Sequence, residues 1–175
     1  MKKLLAIVMA VLMLMSVALA DTAKTPVVYD DNLTLNMVYP EGYDVAVEDI
    51  GIYKMIAMSK ENAPVILLLI CPDDEYADAE RLNDMDEGDQ EAFTLSLMED
   101  YNNANVTWLK TEHDTDVVML NENDAAVDFA ELVTLYHGYL IDVMLIAQDG
   151  ETVTENDINL AMKVLSDMDF VYTGK

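Results

Sequence analysis

The sequence predicts an α+β domain: a mostly antiparallel sheet of about seven strands covered by two or three helices, an α/β sandwich. Three observations carry that prediction. Val65-Ile66-Leu67-Leu68-Leu69-Ile70 is an unbroken apolar run between Pro64 and Pro72. A run of strand length with no polar face belongs in a sheet covered on both sides. Shorter alternating segments precede and follow it, separated by turn residues close enough for hairpins. Finally, Ile158, Ala161, Met162, Leu165 and Met168 recur at spacings of three and four, so at least one amphipathic helix is available as cover.

The chain opens with a segment built like a secretory leader. Lys2 and Lys3 form a positive start, Leu4 to Met15 carry no charge, and Ala18-Leu19-Ala20 is a small-x-small cleavage site. The uncharged stretch is slightly short of the roughly 20 residues that span a bilayer. Residues 1–20 are therefore read as a cleaved signal peptide of bacterial type, leaving 155 of the 175 residues. No Cys follows the cleavage site, so a lipid anchor there is not expected. The expected location is exported: extracellular, periplasmic or associated with the cell envelope.

Residues 21–32 are polar, contain Pro26 and read as a flexible N-terminal tail; residues 33–175 read as a single domain. Leu33, Leu35, Met37 and Tyr39 alternate with polar neighbours, the period of a half-buried strand. Pro40-Glu41-Gly42 makes a turn, and Tyr43, Val45 and Val47 begin a second strand. Ile52 to Met58 is a third, and the apolar run to Cys71 a fourth. A short helix is expected near Ala77 to Leu82. A better one runs from Gln90 to about Asn102, capped by Asp89, with Phe93, Leu97 and Tyr101 on one stripe. Val106 to Glu112 and Val117 to Leu120 suit strands, the latter closed by a turn at Asn121 to Asp124. The span from Ala125 to Ala147 is too long for one strand and must bend, most simply at Gly138. Thr154 caps the last helix, with Glu155 and Asp157 in its first turn, and Phe170 to Tyr172 end the chain as a short strand or packed tail.

Composition limits the partners. Formal net charge is −25, and loss of Lys2 and Lys3 takes it to −27. That excludes a nucleic-acid binder, which needs clustered Lys and Arg, and disfavours anionic membrane surfaces. It favours cations and basic protein patches.

The order of landmarks is similar to that of a known group. An aromatic-Pro-x-Gly-aromatic turn (YPEGY, Tyr39 to Tyr43) follows an early strand, a long hydrophobic strand sits centrally, and a late strand and Gly-containing turn precede TENDINLAMKVLSDMDF. From Leu33 to Phe170 this resembles the PsbP-like α/β-sandwich superfamily, which includes an extrinsic photosystem II protein, a Ran-binding import factor and small exported bacterial proteins. The resemblance implies an antiparallel sheet between helical layers, acting as a binding or assembly module without its own active site. It transfers no functional residue.

Three functions follow from the residues. The first is an exported, non-enzymatic binding or assembly module whose partner, a protein or envelope component, carries a basic patch. The second is a weak calcium-responsive module, since Asp84, Asp86 and Asp89 could offer oxygen ligands to a hard cation. The stretch departs from an EF-hand loop: counted from Asp84, Gly88 is fifth rather than sixth and Leu95 stands twelfth, where a Glu is required. No other cofactor is expected. The third is a small hydrolase pairing Cys71 with His137. The GxSxG, SxxK and HExxH patterns are absent, and Cys71 at the end of a hydrophobic run reads as a small core residue.

Overall fold

The computed structural model describes residues 24–99, 101, 104–122, 129–148 and 152–174. Among them are ten strands and two α-helices: β1 (Thr25–Val28), β2 (Leu33–Met37), β3 (Asp44–Ile50), β4 (Tyr53–Ser59), β5 (Val65–Pro72), α1 (Glu87–Met98), β6 (Ala104–Lys110), β7 (Asp116–Glu122), β8 (Phe129–Tyr136), β9 (Tyr139–Ile146), α2 (Glu155–Ser166) and β10 (Asp169–Tyr172). The class is α+β and mostly sheet, as the sequence predicts. The strands, however, divide between two sheets. Seven form an antiparallel sheet in the order β3-β4-β5-β9-β8-β7-β6, and three form a smaller one, β1-β2-β10.

The apolar run is β5, paired with β4 on one side and β9 on the other, and Val65 to Ile70 are all buried. Its alternate residues feed two faces. Ile66, Leu68 and Ile70 join the main core with Ile56, Met58, Leu132, Ile141 and Val143, closed by α2 and by the small sheet through Leu33, Leu35 and Met37. Leu67 and Leu69 point to the opposite, second face, where they meet Met55 and Ala57. Further along that second face, α1 places Phe93 over Val118, Leu120, Val133 and Leu135.

Several expectations need correction. Part of the presumed tail is strand β1. It pairs with β2 and buries Val27, and Pro26 is tolerated because β1 lies at the edge of its sheet. The helix expected near Ala77 to Leu82 is replaced by 3-10 turns at Asp74–Tyr76 and Leu82–Asp84. Helix α1 starts three residues earlier than expected, because Asp86 rather than Asp89 is its cap: the Asp86 carboxylate accepts the Asp89 N–H at 3.0 Å. The last helix begins where predicted, and Thr154 and Asp157 form a reciprocal capping box.

The bend expected at Gly138 is a two-residue hairpin turn. His137 and Gly138 both have positive φ (48° and 73°), the geometry whose twist suits a tight antiparallel connection. The leader, the turn beyond Glu122 and the first residues of the expected span from Ala125, up to Asp128, lie outside the described residues. No described helix is long and apolar enough to cross a membrane.

Candidate functional site

Two places concentrate chemistry: an acidic depression beside α1 and a pair of buried acids on the second face of the large sheet. The depression encloses about 510 Å³, and five of its lining residues are Glu75, Asp78, Glu80, Asp84 and Asp89. Its wall is the segment between β5 and α1, whose turns are fixed locally. Asp73 accepts the Glu75 N–H at 3.0 Å, an Asx turn that starts the first 3-10 segment. The β8–β9 hairpin then holds that wall in place. His137 N–H donates to the Glu80 carbonyl (2.8 Å) and Gly138 N–H to the Ala79 carbonyl (3.1 Å), while Asp73 N–H donates to the Gly138 carbonyl (2.8 Å). A Cβ on Gly138 would lie 2.8 Å from Ala77 Cα, so only glycine allows this approach.

The three aspartates predicted as cation ligands are treated differently by the fold. Asp84 and Asp89 line the depression, while the Asp86 carboxylate is engaged in capping α1. Among the described residues no group of three or more His, Cys, Asp or Glu is gathered closely enough to hold a metal ion.

Cys71 and His137 are not joined by any hydrogen bond among the described residues. Cys71 stands on β5 opposite Leu140. Burial, then the charges of Asp142 and Asp73, push its thiol up to about 11, which is the reverse of activation. The His137 ring is stacked on Tyr172 (4.2 Å between centroids, 9° between planes) and meets Tyr136 edge-on. It acts as part of the aromatic packing that ties the hairpin to β10.

The feature that sequence reading missed lies on the second face. Glu131 of β8 and Asp142 of β9 are each 7% exposed. Register pairs Glu131 with Met144 and Asp142 with Val133, so the two carboxyls are diagonal neighbours on one face. The Tyr101 hydroxyl donates to Glu131 Oε2. Asp142 Oδ1 is buried and has no hydrogen-bond partner. Burial, then the charge of Glu131 and a hydrogen bond with it, hold the Asp142 carboxyl well above the usual carboxylate range. The signal was present in FAELVTLY and YLIDVMLI, where a single acid takes an inward place in an otherwise apolar alternation.

Four of the described lysines are engaged elsewhere. Lys24 pairs with Asp169, Lys54 with Asp49, Lys110 with Asp114 and Asp116, and Lys163 with Asp167, at 2.6 to 3.1 Å. None of these pairs involves a carboxylate that lines the depression. No family model and no curated protein matches the sequence.

Proposed function

We propose that the chain is an exported, non-enzymatic binding or assembly module of the PsbP-like kind that takes a protein or envelope component bearing a basic patch. The observation that carries this reading is the acidic depression, with five carboxylates around one concavity in a chain of net charge −25. A cationic surface gains from such focusing, and the attraction decays over about 8 Å at physiological ionic strength. The test is capture from native envelope extract at low and high salt, by the native chain and by a Glu75→Gln, Asp78→Asn, Glu80→Gln variant. Salt-sensitive capture that the variant loses supports the reading. No capture at either salt, or equal capture by the variant, sinks it.

The same depression also favours a second reading, a weak calcium response through Asp84 and Asp89. Its test is a thermal midpoint that rises with millimolar calcium more than with magnesium or sodium at matched ionic strength, and that ceases to do so in Asp84→Asn. Asp84→Asn is chosen over a change at Asp86 because the Asp86 carboxylate also caps α1.

A further inference from the structure

A smaller pocket, of about 250 Å³, opens where the β6–β7 turn, the end of α2 and the start of β10 meet strand β8. Its lining reverses the charge pattern of the acidic depression. Arg81 and His113 both line it, and its one acid, Asp169, is already paired with Lys24 at 2.6 Å. The chain has 34 Asp and Glu against 9 Lys and Arg. Two basic side chains on one small cavity depart from that balance and make a local potential that suits an anion.

The backbone brings the two together. Arg81 precedes the 3-10 turn Leu82–Asp84, and its main chain bridges Tyr136 of β8. Two residues on, the Asn83 side chain grips the β6–β7 turn twice. Its Nδ2 donates to the Asp114 carbonyl (2.7 Å) and its Oδ1 accepts the Asp116 N–H (2.9 Å). Thr111 Oγ1 closes the same turn by accepting the Thr115 N–H at 3.1 Å. The segment carrying Arg81 and the turn carrying His113 are thus clamped together, and a ligand would not have to order them.

The donors around the pocket are unspent. The Arg81 guanidinium lies over the Tyr136 ring, 5.9 Å from its centroid, and among the described residues it has no carboxylate within ion-pair distance. Neither the His113 ring nor the Thr115 hydroxyl makes a hydrogen bond among the described residues. Ser166, the last residue of α2 and part of the lining, is 7% exposed, and its Oγ has no partner. Buried polar groups in folded proteins are almost always bonded, so this hydroxyl is a second sign of a missing polar ligand. The remaining wall is apolar. Phe170 stacks on Tyr136 with 4.8 Å between centroids, beside Leu135 and Met168.

The two kinds of wall define the ligand. A guanidinium fork matches a planar carboxylate through two parallel hydrogen bonds. An apolar cavity of about 150 Å³ holds benzene, so this pocket has room for a ring or short chain as well as the carboxylate. We propose that it binds a small organic acid, the carboxylate held by Arg81 and His113 and the apolar part against Tyr136 and Phe170. The site is separate from the acidic depression and does not depend on the chain taking a basic partner.

The test is calorimetric titration of the purified chain with benzoate, with benzamide as its uncharged counterpart, with acetate and with inorganic phosphate, all at one pH and ionic strength. Benzoate should bind at least about tenfold tighter than benzamide, the scale of a hydrogen bond to a charged group. It should also bind tighter than acetate, which leaves the aromatic wall bare. Arg81→Gln should erase the preference for benzoate over benzamide, and Arg81→Lys should restore part of it, keeping the charge without the fork. Arg81 is exposed, and thermal unfolding confirms that each variant is folded.

Equal binding of benzoate and benzamide overturns the proposal, as does benzoate binding that survives Arg81→Gln. Acetate as tight as benzoate overturns the apolar half of the site. Phosphate tighter than benzoate overturns it in favour of an inorganic oxyanion. Binding of none of the four also overturns it, and leaves the acidic-module reading untouched.

Discussion

The two faces of the seven-stranded sheet are made by the same strands and differ in kind. One is a continuous apolar core, sealed by α2 and by the three-stranded sheet. The other is broken into two apolar clusters, with Glu131 and Asp142 buried on the same face and, among the described residues, one helix over it. Strand β5 serves both without a polar residue between Val65 and Ile70. The difference teaches that a residue's burial does not reveal its task. The apolar face serves stability throughout, whereas the other buries a carboxyl pair that costs some of it.

The sharpest way to break this contrast is to truncate neighbours on β5. Leu68 and Leu67 are both 0% exposed and point to opposite faces. Leu68→Ala should cost about 2–5 kcal/mol, the range for a buried leucine. Leu67→Ala should cost less, because its apolar cluster is the smaller of the two. Urea unfolding of both variants decides it, and equal losses would mean that the faces are energetically alike.

Next in size is the hairpin that fixes the depression. Gly138→Ala introduces a side chain at φ 73°, 2.8 Å from Ala77 Cα, and strained backbone of this kind costs about 1–3 kcal/mol. The thermal midpoint should fall, and salt-sensitive binding of a basic partner should fall with it, because the wall of the depression shifts.

The acid pair gives a smaller effect with a definite sign. The folded-state pKa of Asp142 lies above its ordinary value of 3.8, so between the two the native state holds more protons than the unfolded chain. This group's contribution to stability is therefore lost as pH rises from about 3.8 through its folded value. Asp142→Asn should flatten that slope relative to the native chain and raise stability at neutral pH by about 1 kcal/mol, the scale of a poorly satisfied buried acceptor. A slope unchanged between the two proteins in matched denaturation series would show that the pair does not titrate in this way.

The smallest difference concerns the helices that close the two faces. Thr154→Ala breaks a capping box on α2 and Asp86→Ala a simple cap on α1. Each should cost about 0.5–2 kcal/mol, with Thr154→Ala the larger, since its loss also frees Asp157. Paired thermal melts test the order.

Much of this architecture could be read in the residues. The apolar run found its place inside the sheet because nothing in Val65 to Ile70 tolerates water. The α2 cap was legible because Thr154 and Asp157 interact locally. The division into two sheets was not, since the Pro40-Glu41-Gly42 turn redirects the chain without stating which strands pair afterwards. Strand β1 was hidden by Pro26, a residue that an edge position accepts. The acidic stretch was visible, but whether its carboxylates face one concavity depends on the contact between Gly138 and Ala77, 61 residues apart in sequence. Glu131 and Asp142 escaped notice because alternation was read for its apolar members.

The order of the large sheet leaves β3 and β6 at its two ends. Edge strands of this sort are templates for pairing one molecule with the next. Strand β3 carries Asp44, Glu48 and Asp49 within seven residues, so any second strand approaching it meets concentrated negative charge. Such charge works against polymerisation at this edge. It lapses as the solution nears the isoelectric point of about 4.1, where slow fibre growth should begin at β3.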